Sequence, residues 1–234
     1  SNALKLLTVE GSLYKMVNAD YESEPIANFD YMFSGCVNLT KVDSGLLANN
    51  PKDDMVEGYP SAIRMFEDTN ISILPSNFFD GTMIQNYQNC FYNCSSLTAA
   101  PILQNAYNYN NCFSGCSSLT TIPSDIFAWR GQSVQTTRYF NFCFSNCTSL
   151  EEIPVDIFTF LDEEYNEFTG CFNNCINLKT IPDSLFEYAK STEFSMCFEN
   201  CNKLSINPNM FGNSPSSLFS SLPDNEMVEM SNMF

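Results

Sequence analysis

Cysteine pairs recur along this chain with three residues between the partners: Cys90 and Cys94, Cys112 and Cys116, Cys143 and Cys147, Cys171 and Cys175, Cys197 and Cys201. Thiols at such a spacing could hold a metal, form a redox pair, build a disulfide framework, or pack as small apolar groups. The chain has no histidine, which excludes Ser-His-Asp and Cys-His nucleophiles and every zinc site that needs imidazole. The spacing also differs from the Cys-x-x-Cys of thioredoxin-like motifs and zinc ribbons. In other copies Met32, Met65 and Met233 stand at the first cysteine position and Thr69 at the second. Methionine neither forms a disulfide nor replaces a thiolate. Adjacent coils of a parallel stack lie ~4.8 Å apart, slightly beyond the ~3.5–4.5 Å Cβ separation a disulfide prefers. A buried sulfur ladder is the favoured reading, with occasional disulfides as the alternative, and the odd total of eleven leaves at least one thiol free.

Carboxylates are the other abundant chemistry-bearing type. Ten Lys plus Arg against 27 Asp plus Glu give a net charge of −17, and such a polyanion is repelled by phosphate backbones and anionic lipid. Nucleic acid is not an expected partner. Glu151 and Glu152 are adjacent on a predicted strand and so point to opposite faces rather than flanking one bond. The runs at Asp53-Asp54, at Asp162 to Glu164 with Glu167, and from Asp224 to Glu229 lack the spacing of an EF-hand or of a calcium-binding β-helix. They read as solvated charge. No catalytic residue, metal or cofactor is expected, and the chain is not expected to be an enzyme.

The elements that carry these residues come from an internal repeat. Aligned on the second cysteine, "MFSGCVNLTKV" from Met32 is followed by "MFEDTNISILP" from Met65, "CFYNCSSLTAAP" from Cys90, "CFSGCSSLTTIP" from Cys112, "CFSNCTSLEEIP" from Cys143, "CFNNCINLKTIP" from Cys171 and "CFENCNKLSINP" from Cys197. Successive anchors lie 22 to 33 residues apart, a period of solenoids. An aromatic three residues before the first cysteine, such as Phe140 before Cys143 and Phe144, gives the i, i+3, i+4 spacing of a short helical turn. Gly35, Asp68, Asn93, Gly115, Asn146, Asn174 and Asn200 precede the second cysteine position, all of types that tolerate positive φ, and predict a left-handed cap. Leu-x-x-Ile then predicts a short extended segment, closed by proline. Pro-x-x-x-Phe, as at Pro123 to Phe127 and Pro154 to Phe158, predicts a second short helix on the convex side. The third copy lacks that element.

Ser1-Asn2-Ala3 reads as a remnant of tag removal, and Leu4 to Leu7 is too short for a signal peptide or a spanning helix. The expected organisation is a capping segment over 4–28 and a single solenoid over 29–234, with a partial eighth repeat at Met233-Phe234. The matches to the glycosylation sequon at Asn38, Asn70, Asn93 and Asn146 follow from the repeat and carry no assigned function. Trp129, Arg130 and Arg138 lie in the long fourth loop, as a contact patch or, preferably, with the Trp packed over the convex side.

The pattern Phe-x-x-Cys-x-x-Leu-x-x-Ile-Pro, with a second Phe after the proline, resembles the BspA-type leucine-rich repeat family of bacterial surface proteins over roughly residues 29 to 234. The resemblance implies an α/β leucine-rich-repeat solenoid of about seven repeats, with short parallel strands on one face and short helices or loops on the other. It also implies export to the cell surface or secretion and, for some members, adhesion to host matrix proteins. On such a scaffold the residues between Leu and Ile point outward from the strand face. The candidate ligand-facing residues are Lys41, Thr98, Thr120, Thr121, Glu151, Glu152, Lys179 and Thr180, beside Thr40, Ala99 and Ser205-Ile206. They vary from copy to copy, as a ligand-reading surface would and as a freely drifting solvated face would. The expected function is binding of a protein or glycan by a monomer whose repeat domain does not insert in membrane. The alternative is a structural spacer with no ligand of its own, in keeping with a chain that stops mid-motif at Phe234.

Overall fold

Each copy of the motif carries two residues of positive φ, four positions apart: Tyr31 and Gly35, Arg64 and Asp68, Asn89 and Asn93, Asn111 and Gly115, Phe142 and Asn146, Gly170 and Asn174, Met196 and Asn200. The second of each pair is the predicted left-handed cap. The first was not predicted, and it removes the predicted helical turn, because a right-handed helix cannot continue through a left-handed residue. The computed structural model describes residues 8–9, 28–47, 60–80, 82, 84–103, 106–127, 137–159, 165–212 and 229–234, and no helix occurs among them.

Consecutive β-turns stand where the helix was expected. In the fourth copy Cys112 N donates to Tyr109 O at 3.0 Å, Ser114 N to Asn111 O at 3.1 Å and Cys116 N to Phe113 O at 3.1 Å. The intervening amides leave the coil: Asn111 N reaches Asn141 O at 2.9 Å, Phe113 N reaches Cys143 O at 2.8 Å and Gly115 N reaches Ser145 O at 2.8 Å. Amides alternate between their own coil and the next, so the turn region satisfies its backbone without helix or regular strand. The expected second helix is likewise a single turn, closed by bonds such as Ile126 N to Pro123 O at 3.2 Å and Ile157 N to Pro154 O at 3.3 Å. The helical half of the expected α/β class is therefore corrected to turns among the described residues.

The short strands are β1 (Thr8–Val9), β2 (Lys41–Val42), β3 (Thr137–Tyr139), β4 (Tyr165–Glu167) and β5 (Lys190–Glu193). β1 pairs in parallel with β2, in the register Thr8↔Lys41 and Val9↔Val42, so part of the expected capping segment lies beside the first coil. β3, β4 and β5 form a parallel three-stranded sheet. They belong to a longer ladder just ahead of the aromatic column. It runs Asn28↔Ser61↔Asn86↔Asn108↔Tyr139↔Glu167↔Glu193↔Glu229. These eight rungs define coils one to eight. The predicted strand, over Leu-x-x-Ile, is present as a second ladder with isolated parallel bridges at Ala99↔Thr121 and Thr180↔Ser205.

Between the ladders lie columns of aromatic rings in register. Phe33, Phe66, Phe91, Phe113, Phe144, Phe172, Phe198 and Phe234 stack with centroids 5.3 to 5.9 Å apart. Tyr87, Tyr109, Phe140, Phe168 and Phe194 form a second column. Phe127, Phe158 and Phe186 form a third, meeting the second edge-on at 4.9 to 5.1 Å. Both arrangements suit the ring quadrupole and add about 0.5–1.5 kcal/mol per pair beyond burial.

Register makes one glycine indispensable. A Cβ on Gly170 (φ +60°) would lie 2.3 Å from Cε1 and 2.4 Å from Cδ1 of Phe142 in the preceding coil. Gly170→Ala is expected to destabilise by ~2–4 kcal/mol, through overpacking and the left-handed backbone together. Phe142→Asn, which removes the ring and suits the positive φ at that position, should recover part of the loss. A double-mutant cycle by urea unfolding measures the coupling, and additive losses would refute the contact.

Candidate functional site

The sulfurs are packing and hydrogen-bonding groups. All eleven cysteines are free thiols, nine of them buried, with Cys36 and Cys201 half-buried. In copies three to seven the second cysteine donates to the carbonyl of a phenylalanine one coil back. Cys94 Sγ meets Phe66 O at 3.0 Å, Cys116 meets Phe91 O at 3.2 Å, Cys147 meets Phe113 O at 3.3 Å, Cys175 meets Phe144 O at 3.2 Å and Cys201 meets Phe172 O at 3.1 Å. Thr69, at the same position in the second copy, is also buried and lies 3.4 Å from Cys94 Sγ. Burial pushes the thiols of Cys90, Cys112, Cys116, Cys143, Cys147, Cys171, Cys175 and Cys197 well up. It raises Cys94 to about 12 and Cys201 to about 11. Near neutral pH these sulfurs stay protonated, and a thiol is neither a good nucleophile nor a metal ligand. Among the described residues no group of three or more His, Cys, Asp or Glu side chains is gathered to hold a metal.

The strand face is built by the next segment of each coil. Leu39, Leu97, Leu119, Leu150 and Leu178 are fully buried and anchor the segment, so the two following residues lie on the outside. Lys41, Thr98, Thr120, Thr121, Glu151, Glu152, Lys179 and Thr180 are all exposed. The expected opposite orientation of Glu151 and Glu152 is thus corrected, because this stretch lies outside any regular strand and both carboxylates meet solvent.

Backbone bonds set these residues in rows. Thr98 N donates to Ser72 O at 3.1 Å, Thr120 N to Thr98 O at 3.0 Å, Lys179 N to Glu151 O at 3.0 Å and Ser205 N to Lys179 O at 2.9 Å. Hydroxyls follow the same course, with Thr98 Oγ1 on Ser72 O at 3.1 Å and Thr120 Oγ1 on Thr98 O at 3.2 Å. Lys179 Nζ forms an ion pair with Glu151, and that hydrogen bond and charge hold the Glu151 carboxyl below the usual carboxylate range. The face is a hydroxyl-rich stretch over coils three and four beside a charged stretch over coils five and six.

Ser72 and Ile73 also belong to this face, both exposed, and the sequence reading missed them. The second copy is one residue shorter between Thr69 and Ile71, so Ile71 occupies the leucine position one step early. Arg138, expected in a loop patch, is instead a buried residue of β3 in register with buried Asn166 of β4. Trp129, Arg130 and the acidic runs at Asp53-Asp54, at 162–164 and at 224–228 lie outside the described residues.

The chain matches no protein-family model and no curated protein. Among solved structures it is similar to the leucine-rich repeat protein of T. pallidum (TpLRR), at 18% identity and a TM-score of 0.49, over 92% of this chain and 84% of that one.

Proposed function

We propose that this chain is a leucine-rich-repeat solenoid of about seven repeats, of the BspA-like surface type, that binds a protein or glycan through its strand face. It acts at the bacterial cell surface or after secretion, as a monomer and without catalysis. The observation that carries this reading is the exposed row from Lys41 to Thr180, whose side chains change in size and charge from coil to coil, while the Phe beneath them is constant and the Leu and Cys positions take only Ile, Met or Thr instead. A repeat scaffold that holds its core constant and varies one face provides an extended binding surface. No helix among the described residues is long and apolar enough to cross a membrane.

The test uses a glycan array and a panel of extracellular-matrix proteins as probes. Replacing Thr121, Glu152 and Thr180 together by tryptophan is expected to abolish binding to whichever probe scores. Stability should stay within about 0.5 kcal/mol per site, because no core contact is touched. Binding unchanged by the triple substitution would instead assign the face to a spacer.

A further inference from the structure

The groups that the proposed binding face leaves unused are the sulfurs of the core. The first and second cysteines of coils three to seven stand in two rows along the stack, and nine of these ten thiols are buried. Sulfurs of adjoining coils lie close enough to act on one another. Burial is the main cause of the raised Cys112 and Cys147 thiols, and Cys90 and Cys143 push Cys112 further up, as Cys116 and Cys175 do Cys147.

A disulfide oxidant such as glutathione disulfide meets two different molecules in the unfolded and the folded chain. Unfolded, all eleven thiols are in water and ionise near their ordinary value of about 8.5. The two cysteines of a copy are then joined by a short loop, whose closure costs little entropy. One thiolate attacks the oxidant, expels a thiol and forms a mixed disulfide, and the second thiolate displaces the remaining half. The pair gives up two electrons and two protons, and the oxidant leaves as two thiols.

Folded, each requirement of that reaction is missing. The sulfurs are protonated and out of reach, whereas the attacking species is an accessible thiolate. The fold also uses the proton that oxidation removes. Cys116 Sγ donates it to Phe91 O at 3.2 Å, Cys147 Sγ to Phe113 O at 3.3 Å and Cys175 Sγ to Phe144 O at 3.2 Å, each bond tying one coil to the one before. A disulfide sulfur has no proton to give. Covalent pairing is thus open to the unfolded chain alone, and whatever binds only that state draws the equilibrium toward it.

We propose that this fold is a redox latch: the solenoid assembles only from the reduced chain, and once assembled it withholds its nine buried thiols from disulfide oxidants that would lock the unfolded chain open. The latch is separate from the proposed strand-face function and does not depend on it.

The test exposes the 234-residue protein to glutathione disulfide at about pH 8, in buffer and in concentrated urea. Free thiols are mapped by alkylation and mass spectrometry, and the fold is followed by circular dichroism. In buffer the nine buried cysteines are expected to oxidise at least about a hundredfold more slowly than in urea, with an unchanged spectrum. Chain oxidised in urea and then diluted into buffer should not regain the native spectrum, and dithiothreitol should restore it. Buried thiols that oxidise in buffer while the spectrum is kept overturn the latch, because disulfides would then fit the fold. Recovery of the native spectrum with disulfides in place overturns it as well, and so does oxidised chain that dithiothreitol fails to rescue.

Discussion

Raising the pH from 8 to 10 in the presence of reductant is expected to unfold this protein cooperatively. Nine cysteines are buried, and burial holds each of their thiols above its ordinary value. In the unfolded chain the same thiols ionise near 8.5. A group whose pKa is raised by folding contributes stability that is complete below the unfolded value and is lost as the pH climbs toward the folded one. The loss therefore starts near pH 8.5 and continues past the value of about 12 reached by Cys94. Each thiol costs ~1.4 kcal/mol per pH unit once the unfolded chain is ionised. For nine thiols the sum is about 12 kcal/mol per unit, as large as the ~5–15 kcal/mol that holds a domain together. The transition is expected between about pH 9 and 10. Circular dichroism against pH gives the midpoint. The pH dependence of the unfolding constant counts the protons released, which should approach nine. All eleven thiols should then react under denaturing, non-reducing conditions. A midpoint above pH 11 would mean that water reaches the sulfurs in the folded state.

That behaviour rests on features the sequence displays unevenly. Positive φ before the second cysteine was legible because Gly, Asn and Asp occupy the site, and few other residues accept that conformation readily. The left-handed residue four positions earlier was not legible, since Tyr31, Arg64, Asn89, Phe142 and Met196 share no chemistry. Its presence converts an apparent helical turn into consecutive β-turns, which also return a side chain to the same face at intervals of three and four. Burial of the sulfurs followed from Met in the first column. Their bonds to phenylalanine carbonyls were not legible, since an apolar role alone accounts for a cysteine. The exposed strand-face residues were found by offset from the second cysteine. That rule fails at Ser72 because the second copy is one residue short.

Truncating one ring in the middle of the longest aromatic column is expected to cost far more than truncating one at its end. Phe144 is fully buried and lies between Phe113, 5.4 Å away with planes 3° apart, and Phe172, 5.5 Å away with planes 7° apart. It also touches Phe127 at 5.9 Å. Its backbone links coil five to coil six, through Phe144 N to Cys171 O at 2.8 Å and its carbonyl to the Cys175 thiol at 3.2 Å. Phe144→Ala empties a site with neighbours on both ring faces, and the stack cannot collapse into the gap without breaking the register of the ladders. A loss of ~3–5 kcal/mol is expected. Phe234→Ala, at a ring that is 47% exposed and stacked only on Phe198 among the described residues, should cost less than about 1 kcal/mol. In a stack where each coil meets only its neighbours, the damage should stay local. Hydrogen exchange is the discriminating measurement. Amides crossing from coil four to five and from coil five to six, such as Phe113, Phe142 and Asn146, should lose protection in Phe144→Ala, while that of Phe33, which crosses from coil one to Met65 O in coil two, keeps it. Equal losses at both ends of the column, or no loss at Phe144, would mean that the rings do not carry the cohesion between coils.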